Sequence, residues 1–188
     1  MNRAIALAVI AGALLGCSHT EVQQEWQDPG YSGPASHSVV VLCLPRDSAE
    51  KACEDAFTAE LKNEGISAIP AYSVPTASAA KESIMAKARE AGISRVLVSR
   101  FINRKTEVWE RPLEGPGFLG TDWDRRQDYE YIEHQFQVFS TALYDAATGK
   151  AIWSALSDTP LRPSEQKMMK AYAKAMVKKL ERRKLLTR

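Results

Sequence analysis

A chain of 188 residues, 45% hydrophobic and 26% charged, has the balance of one globular domain of ordinary size and not of a disordered chain. A net charge of +2 excludes the strongly basic footprint of a nucleic-acid binder. No apolar run reaches the roughly 18 to 20 residues of a spanning helix, which excludes a polytopic membrane protein.

Residues 1–16 hold one charged side chain, Arg3, and then the apolar stretch Ala4 to Leu15. That is the length of a secretory signal core. Leu14-Leu15-Gly16-Cys17 resembles the bacterial lipobox, in which the peptide is cut before the cysteine and the cysteine is lipidated. The resemblance implies a lipoprotein signal peptide over 1–16 and a diacylglyceryl group on Cys17, with palmitate among its acyl chains. Two or three chains anchor stably where one is marginal. Ser18, not Asp, follows the acceptor. In the enteric sorting scheme this implies the outer membrane, facing the periplasm.

Residues 17–37 are polar, with Pro29, Gly30, Gly33 and Pro34, and read as a tether and lead-in to a single domain over 38–188. Trp26 and Tyr31 either lie down on that domain or form a partner-binding patch beside the membrane. Ser38 to Leu44 is a continuous, β-branched apolar run, the signature of a strand buried on both faces. A helix follows from about Ala49 to Asn63, with Cys53, Phe57 and Leu61 as its inner stripe and Gly65 as its cap. Ile66 to Tyr72 reads as a second strand. Ser78 to Ala91 reads as a second helix with Ala80, Ile84, Ala88 and Ala91 on one face. Arg95 to Ser99 starts a third strand that becomes polar toward Lys105.

Arg111 to Asp128 has no apolar period and reads as a long loop holding Phe118 and Trp123, a candidate partner-binding loop. Tyr129 to Tyr144 alternates, with Ile132, Phe136, Val138 and Ala142 on one face. Asp145 to Lys150 is a hairpin turn, with Gly149 free to take positive φ, and Ala151 to Leu156 is the answering strand. Pro163 and Ser164 open a final helix to about Leu185 with the stripe Met169, Ala173, Met176, Val177 and Leu180. Two crossover units followed by hairpins predict an α/β fold. Its mixed five-stranded sheet is parallel in the first half and antiparallel in the second, packed by helices on both faces.

Trp26-Gln27-Asp28-Pro29 before an apolar strand, with Thr148-Gly149-Lys150-Ala151-Ile152-Trp153-Ser154 in the last hairpin, resembles a family of uncharacterised bacterial envelope lipoproteins. The similarity runs from about Trp26 to Leu180. It implies a small periplasmic α/β domain like that of the curli secretion-channel lipoprotein. The barrel-forming segments of a channel are missing, and the family supplies no catalytic residues.

Little in the chain points to catalysis. The histidines are His19, His37 and His134, without the spacing of a zinc site, and there is no nucleophile elbow or phosphate loop. No metal, cofactor or enzymatic activity is expected. An open sheet of this kind binds ligands beyond the carboxyl ends of its strands, a crevice bordered here by Arg46, Asp47, Ser48, Asn103 and Arg104. The last helix has a basic outer face, including Lys167, Lys174 and Lys178, either solubilising or suited to an anionic surface. Cys43 and Cys53 are either a disulfide, since export puts them in an oxidising compartment, or two buried thiols. The sequence therefore reads as a lipid-anchored, periplasm-facing, non-catalytic binding or assembly module with an envelope protein partner and no nucleic-acid partner. The alternative is a domain that binds a small ligand, a glycan or a lipid headgroup.

Anchoring through Cys17 predicts that Cys17→Ser protein is released from membranes or left unprocessed. Fractionation in high salt checks this, and normal cleavage with membrane retention would contradict it.

Overall fold

The structure is a computed structural model that describes residues 19–44, 48–75, 80–112 and 129–188. In chain order it contains β1 (Glu21–Gln27), β2 (Ser38–Leu44), α1 (Ser48–Asn63), β3 (Ser67–Pro70), a 3-10 turn at Ala71–Ser73, α2 (Lys81–Glu90), β4 (Arg95–Pro112), β5 (Tyr129–Asp145), β6 (Ala151–Pro160) and α3 (Glu165–Arg182). The strands form one six-stranded sheet in the order β1-β6-β5-β4-β2-β3. β2 is parallel to β3 and β4, whereas β4-β5, β5-β6 and β6-β1 are antiparallel.

The β-branched run of β2 is buried on both faces because a helix layer lies on each. Val39, Val41 and Cys43 pack with α1 and α3, and Val40 and Leu42 pack with Ile84, Met85 and Ala88 of α2. The α3 stripe expected from its spacing is buried together with Met168 and Tyr172. Tyr172 is the polar centre of this layer. Its ring stacks on Phe139 at 4.3 Å and meets Phe57 edge-on at 5.2 Å. Its hydroxyl shares hydrogen bonds with Ser99 (2.7 Å) and Thr141, so three buried hydroxyls satisfy one another. Burial pushes the phenol up to about 12. Gly65, at φ +79° after α1, Gly92, at φ +71° after α2, and Gly149, at φ +70° in the β5-β6 turn, close turns in the left-handed region.

The expected five-stranded sheet is corrected to six. The additional strand, β1, comes from the segment read as a lead-in and pairs antiparallel with β6 along the sheet edge. Its sequence, Glu-Val-Gln-Gln-Glu-Trp-Gln, has no apolar alternation because an edge strand is held by backbone pairing more than by burial. The division into a parallel first half and an antiparallel second half also fails. The first strand in the chain is antiparallel, and a parallel bridge joins Ser36 to Leu186 near the carboxyl terminus. The second strand is shorter than expected and gives way to the 3-10 turn at Ala71. β4 is longer than expected, taking in Arg111 and Pro112.

The remaining lead-in is fastened to the domain. Buried Arg95 donates to Asp145 Oδ2 (2.8 Å), the Pro34 carbonyl (2.9 Å) and the Tyr31 hydroxyl, with its guanidinium over the Tyr31 ring. Glu25 ties β1 to the helix layer. Its carboxylate accepts from Arg183 Nε (2.8 Å), Trp153 Nε1 (3.0 Å) and Lys179 Nζ (3.3 Å). The Arg183 hydrogen bond, helped by Trp153 and Lys179, outweighs burial and lowers the Glu25 pKa to about 2.

A carboxylate lowered in the folded state stabilises above its unfolded pKa and loses that contribution as pH falls through the folded value. Glu25→Gln is therefore expected to cost about 2 kcal/mol at neutral pH, discounted for the partly exposed cations. The difference from wild type should shrink between about pH 4.5 and pH 2. Urea titrations across that range check it, and a difference independent of pH would contradict it.

Candidate functional site

Two strands outrun their neighbours. β2 follows β4 only as far as Arg100, and β6 follows β5 only as far as Phe136. From Glu107↔His134 to Pro112↔Tyr129, β4 and β5 pair with no third strand among the described residues, the last tie to a neighbour being the Leu161 N–H donated to the Gln135 carbonyl (2.8 Å). They form a two-stranded ribbon beyond the sheet. Val108, Trp109 and Tyr131 on it are 57%, 54% and 64% exposed. A bulge at Ile102, between Phe101 and Asn103, resets which residues share a face as the strand leaves the domain.

A cleft of about 740 Å³ lies where the ribbon leaves the sheet. β1 and the residues before it supply His19, Glu21 and Gln23, β4 and β5 supply Glu107, Trp109, Glu133, His134, Gln135 and Phe136, and Asp158, Pro160 and Leu161 close it. The rings of Trp109 and His134 lie 4.2 Å apart, tilted by 40°, and the Trp109 indole donates to Glu107 Oε2 at 3.1 Å. Lys105 Nζ bridges Asp158 Oδ2 (2.6 Å) and Glu107 Oε1 (2.8 Å), 5.7 Å from the centroid of Phe136. The Asp158 hydrogen bond, then that of Glu107, raises the Lys105 pKa. Lys105, with the Trp109 indole, holds Glu107 below the usual carboxylate range. Flat aromatic surface edged by carboxylates and amides is chemistry for holding a ligand. Among the described residues no cluster of three or more His, Cys, Asp or Glu is placed to hold a metal ion.

The second feature is a sheet face on which no helix packs among the described residues. α2 packs on β2 and β4. On that same side, Gln24 and Trp26 of β1, Ser154 and Leu156 of β6, and Ser140 of β5 line a shallow hollow of about 320 Å³. A second hollow, of about 600 Å³, lies between α2 and Ser140, Ala142, Arg100 and Ile102. The β5 face expected from alternation, with Ile132, Phe136, Val138 and Ala142, is on this side. The better-buried face is the other one, with Phe139, Thr141 and Leu143, because α3 covers it.

The sequence-derived candidates are scattered. Cys17, Arg46, Phe118 and Trp123 lie outside the described residues. Ser48 opens α1. Arg104 is exposed on β4, four residues past the last β2-β4 pair, or about 13 Å along the strand. Cys43 at the end of β2 and Cys53 in α1 are joined by a disulfide, with Cα atoms 6.3 Å apart. Tyr31 packs against the core, and Trp26 stays 47% exposed on the helix-free face. Sequence reasoning missed Trp109 and His134. The available signal was Val108-Trp109 just before the expected loop and the alternating aromatics of Tyr129 and Tyr131 after it.

No family model matches the chain, and no curated protein matches it. Solved structures are similar at low identity. The PelC dodecamer from Paraburkholderia phytofirmans matches with a TM-score of 0.50 and 16% identity over 90% of this chain and 99% of that one. Lipoprotein GNA1162 from Neisseria meningitidis matches with a TM-score of 0.43 and 15% identity, covering 79% and 99% of the two chains. A minor lipoprotein from Acinetobacter baumannii matches with a TM-score of 0.33 and 7% identity, covering 81% and 98%. The PelC likeness shows a shared fold.

Lys105→Met leaves the nearly buried Asp158 carboxylate, 6% exposed, without its cation. Removing one partner of such a pair costs more than the pair contributes, and the partial exposure of Lys105 tempers this to about 2 kcal/mol. Thermal unfolding at neutral pH should show the loss, and Lys105→Met with Asp158→Asn should recover most of it. An unchanged midpoint in the single variant would contradict this reading of the cleft.

Proposed function

We propose that the chain is a lipid-anchored envelope lipoprotein of the outer membrane, facing the periplasm. In this reading it works as a non-catalytic binding or assembly module that docks a protein partner on the helix-free sheet face. The observation that carries the reading is that face itself. Among the described residues, half of a six-stranded sheet has helices on one side only, and its other side presents the small residues Ser140, Ala142 and Ser154 beside half-buried Leu156 and exposed Trp26. Small residues permit close approach, and an exposed tryptophan at the rim is the residue type that anchors interfaces. Lipidation of Cys17 supplies the membrane partner and sets the height of this face above the bilayer. Copies of the same chain are one class of partner: the Paraburkholderia protein of the same fold is a dodecamer.

A second reading is favoured by the Trp109-His134 wall of the cleft. Aromatic faces edged by Glu21, Glu133, Gln23 and Gln135 suit a small ligand, a glycan or a lipid headgroup.

Photo-crosslinking in intact envelopes tests the first reading. A crosslinking residue in place of Trp26 or Leu156 is expected to give the same discrete adduct. One in place of Lys174, on the outer face of α3, is expected to give none. Equal products from all three positions, or none from Trp26 and Leu156, would contradict docking on this face.

A further inference from the structure

The ribbon places aromatic surface beside the start of the mature chain. His19 lines the same cleft as Trp109. Cys17 is two residues earlier in the chain. An acyl group on that cysteine brings the bilayer surface to this end of the molecule. Trp26, by contrast, is about 17 Å farther along β1 from Glu21.

The two faces of the ribbon differ in charge. On one, Lys105, Glu107, Trp109 and Arg111 alternate along β4, opposite Phe136, His134, Ile132 and Glu130 of β5. Every full charge on this face is paired within the ribbon or at its base. Lys105 meets Glu107, and Arg111 Nη2 meets Glu130 Oε2 at 2.6 Å. What remains outward is the indole of Trp109, with Ile132 opposite it. The other face bears Glu110 and Glu133, for which no ion pair is found among the described residues, beside Val108 and Tyr131. Tryptophan settles at the level of lipid headgroups, and a charge-paired face with an outward indole can approach that level at low desolvation cost.

We propose that the Trp109 face of the β4-β5 ribbon is a second membrane contact, seated in the headgroup-acyl boundary of the leaflet that holds the Cys17 lipid. This rests on the lipoprotein reading and adds to it. A lipid anchor alone fixes distance and leaves the domain free to tumble about its tether. A second contact at the ribbon fixes orientation and holds the Trp26 end of the sheet face away from the bilayer.

The test uses the full lipidated chain in vesicles of phosphatidylethanolamine and phosphatidylglycerol, with and without acyl chains brominated at carbons 6 and 7. Bromine quenches only tryptophans that reach the acyl boundary. Wild type and Trp26→Phe should be quenched alike. Trp109→Phe should lose at least half of the quenching, and Ile132→Asp, which keeps the indole, should also reduce it at least twofold. Quenching that is absent in wild type, or unchanged by both ribbon substitutions, would overturn the proposal. Intact mass of the purified chain separates the two readings. An unacylated Cys17 overturns the anchor on which the proposal rests, whereas an acylated chain with an unquenched Trp109 overturns the ribbon contact alone.

Discussion

The length mismatch between the central strand pair and its neighbours governs the rest of the structure. β4 and β5 keep pairing for six residue pairs beyond the last backbone bond to a neighbour among the described residues. Inside the sheet they are ordinary central strands with a neighbour on each side, α2 packing on one face of β4 and α3 on one face of β5. Outside it no other strand among the described residues pairs with either edge. Tyr131, Val108 and Trp109 on these two strands are consequently the most exposed large apolar side chains among the described residues, and the strands' departure from the sheet opens the cleft. The backbone supports this extension because an antiparallel pair satisfies half of its amides internally and leaves the other half to water or to a partner.

Among the described residues no helix covers one face of the outer half of the sheet, which is held by other means. β1 is an edge strand with little apolar content, and Glu25 fastens it to β6 through Trp153 and to α3 through Lys179 and Arg183. Arg95 does the same for the chain between β1 and β2. Both devices place a charge-assisted network where apolar burial is scarce, which keeps the opposite sheet face free. On the covered side, Tyr172 lets Ser99 and Thr141 sit on buried strand positions without an unmet hydroxyl.

Elements with a strong apolar period were legible in the sequence. β2, the buried stripes of α1 and α3, the β5-β6 hairpin and its glycine all follow from spacing and composition. β1 was not legible, because five of its seven residues are polar and its stabilisation comes from backbone pairing and from Glu25, partners remote in sequence. The ribbon was half legible. Periodicity identified β5, but it did not reveal that β4 would run to Pro112, because the exposed ends of both strands follow no burial pattern. The cleft was missed for the same reason. It joins Glu21, Glu107, His134 and Asp158, residues that only the strand order brings together.

The most direct measurement of this account is residue-resolved amide hydrogen exchange of the native protein over 106–111 and 130–135. A two-stranded ribbon with both edges free predicts alternation. Every second amide should be protected by its β4-β5 hydrogen bond, and those between should exchange like solvent-exposed amides, while 95–100 and 138–143 are protected throughout. Uniformly fast exchange across 106–111 and 130–135 would show that the strands stop with their neighbours, and uniform protection would show that the edges are already covered. Either result would contradict a free ribbon.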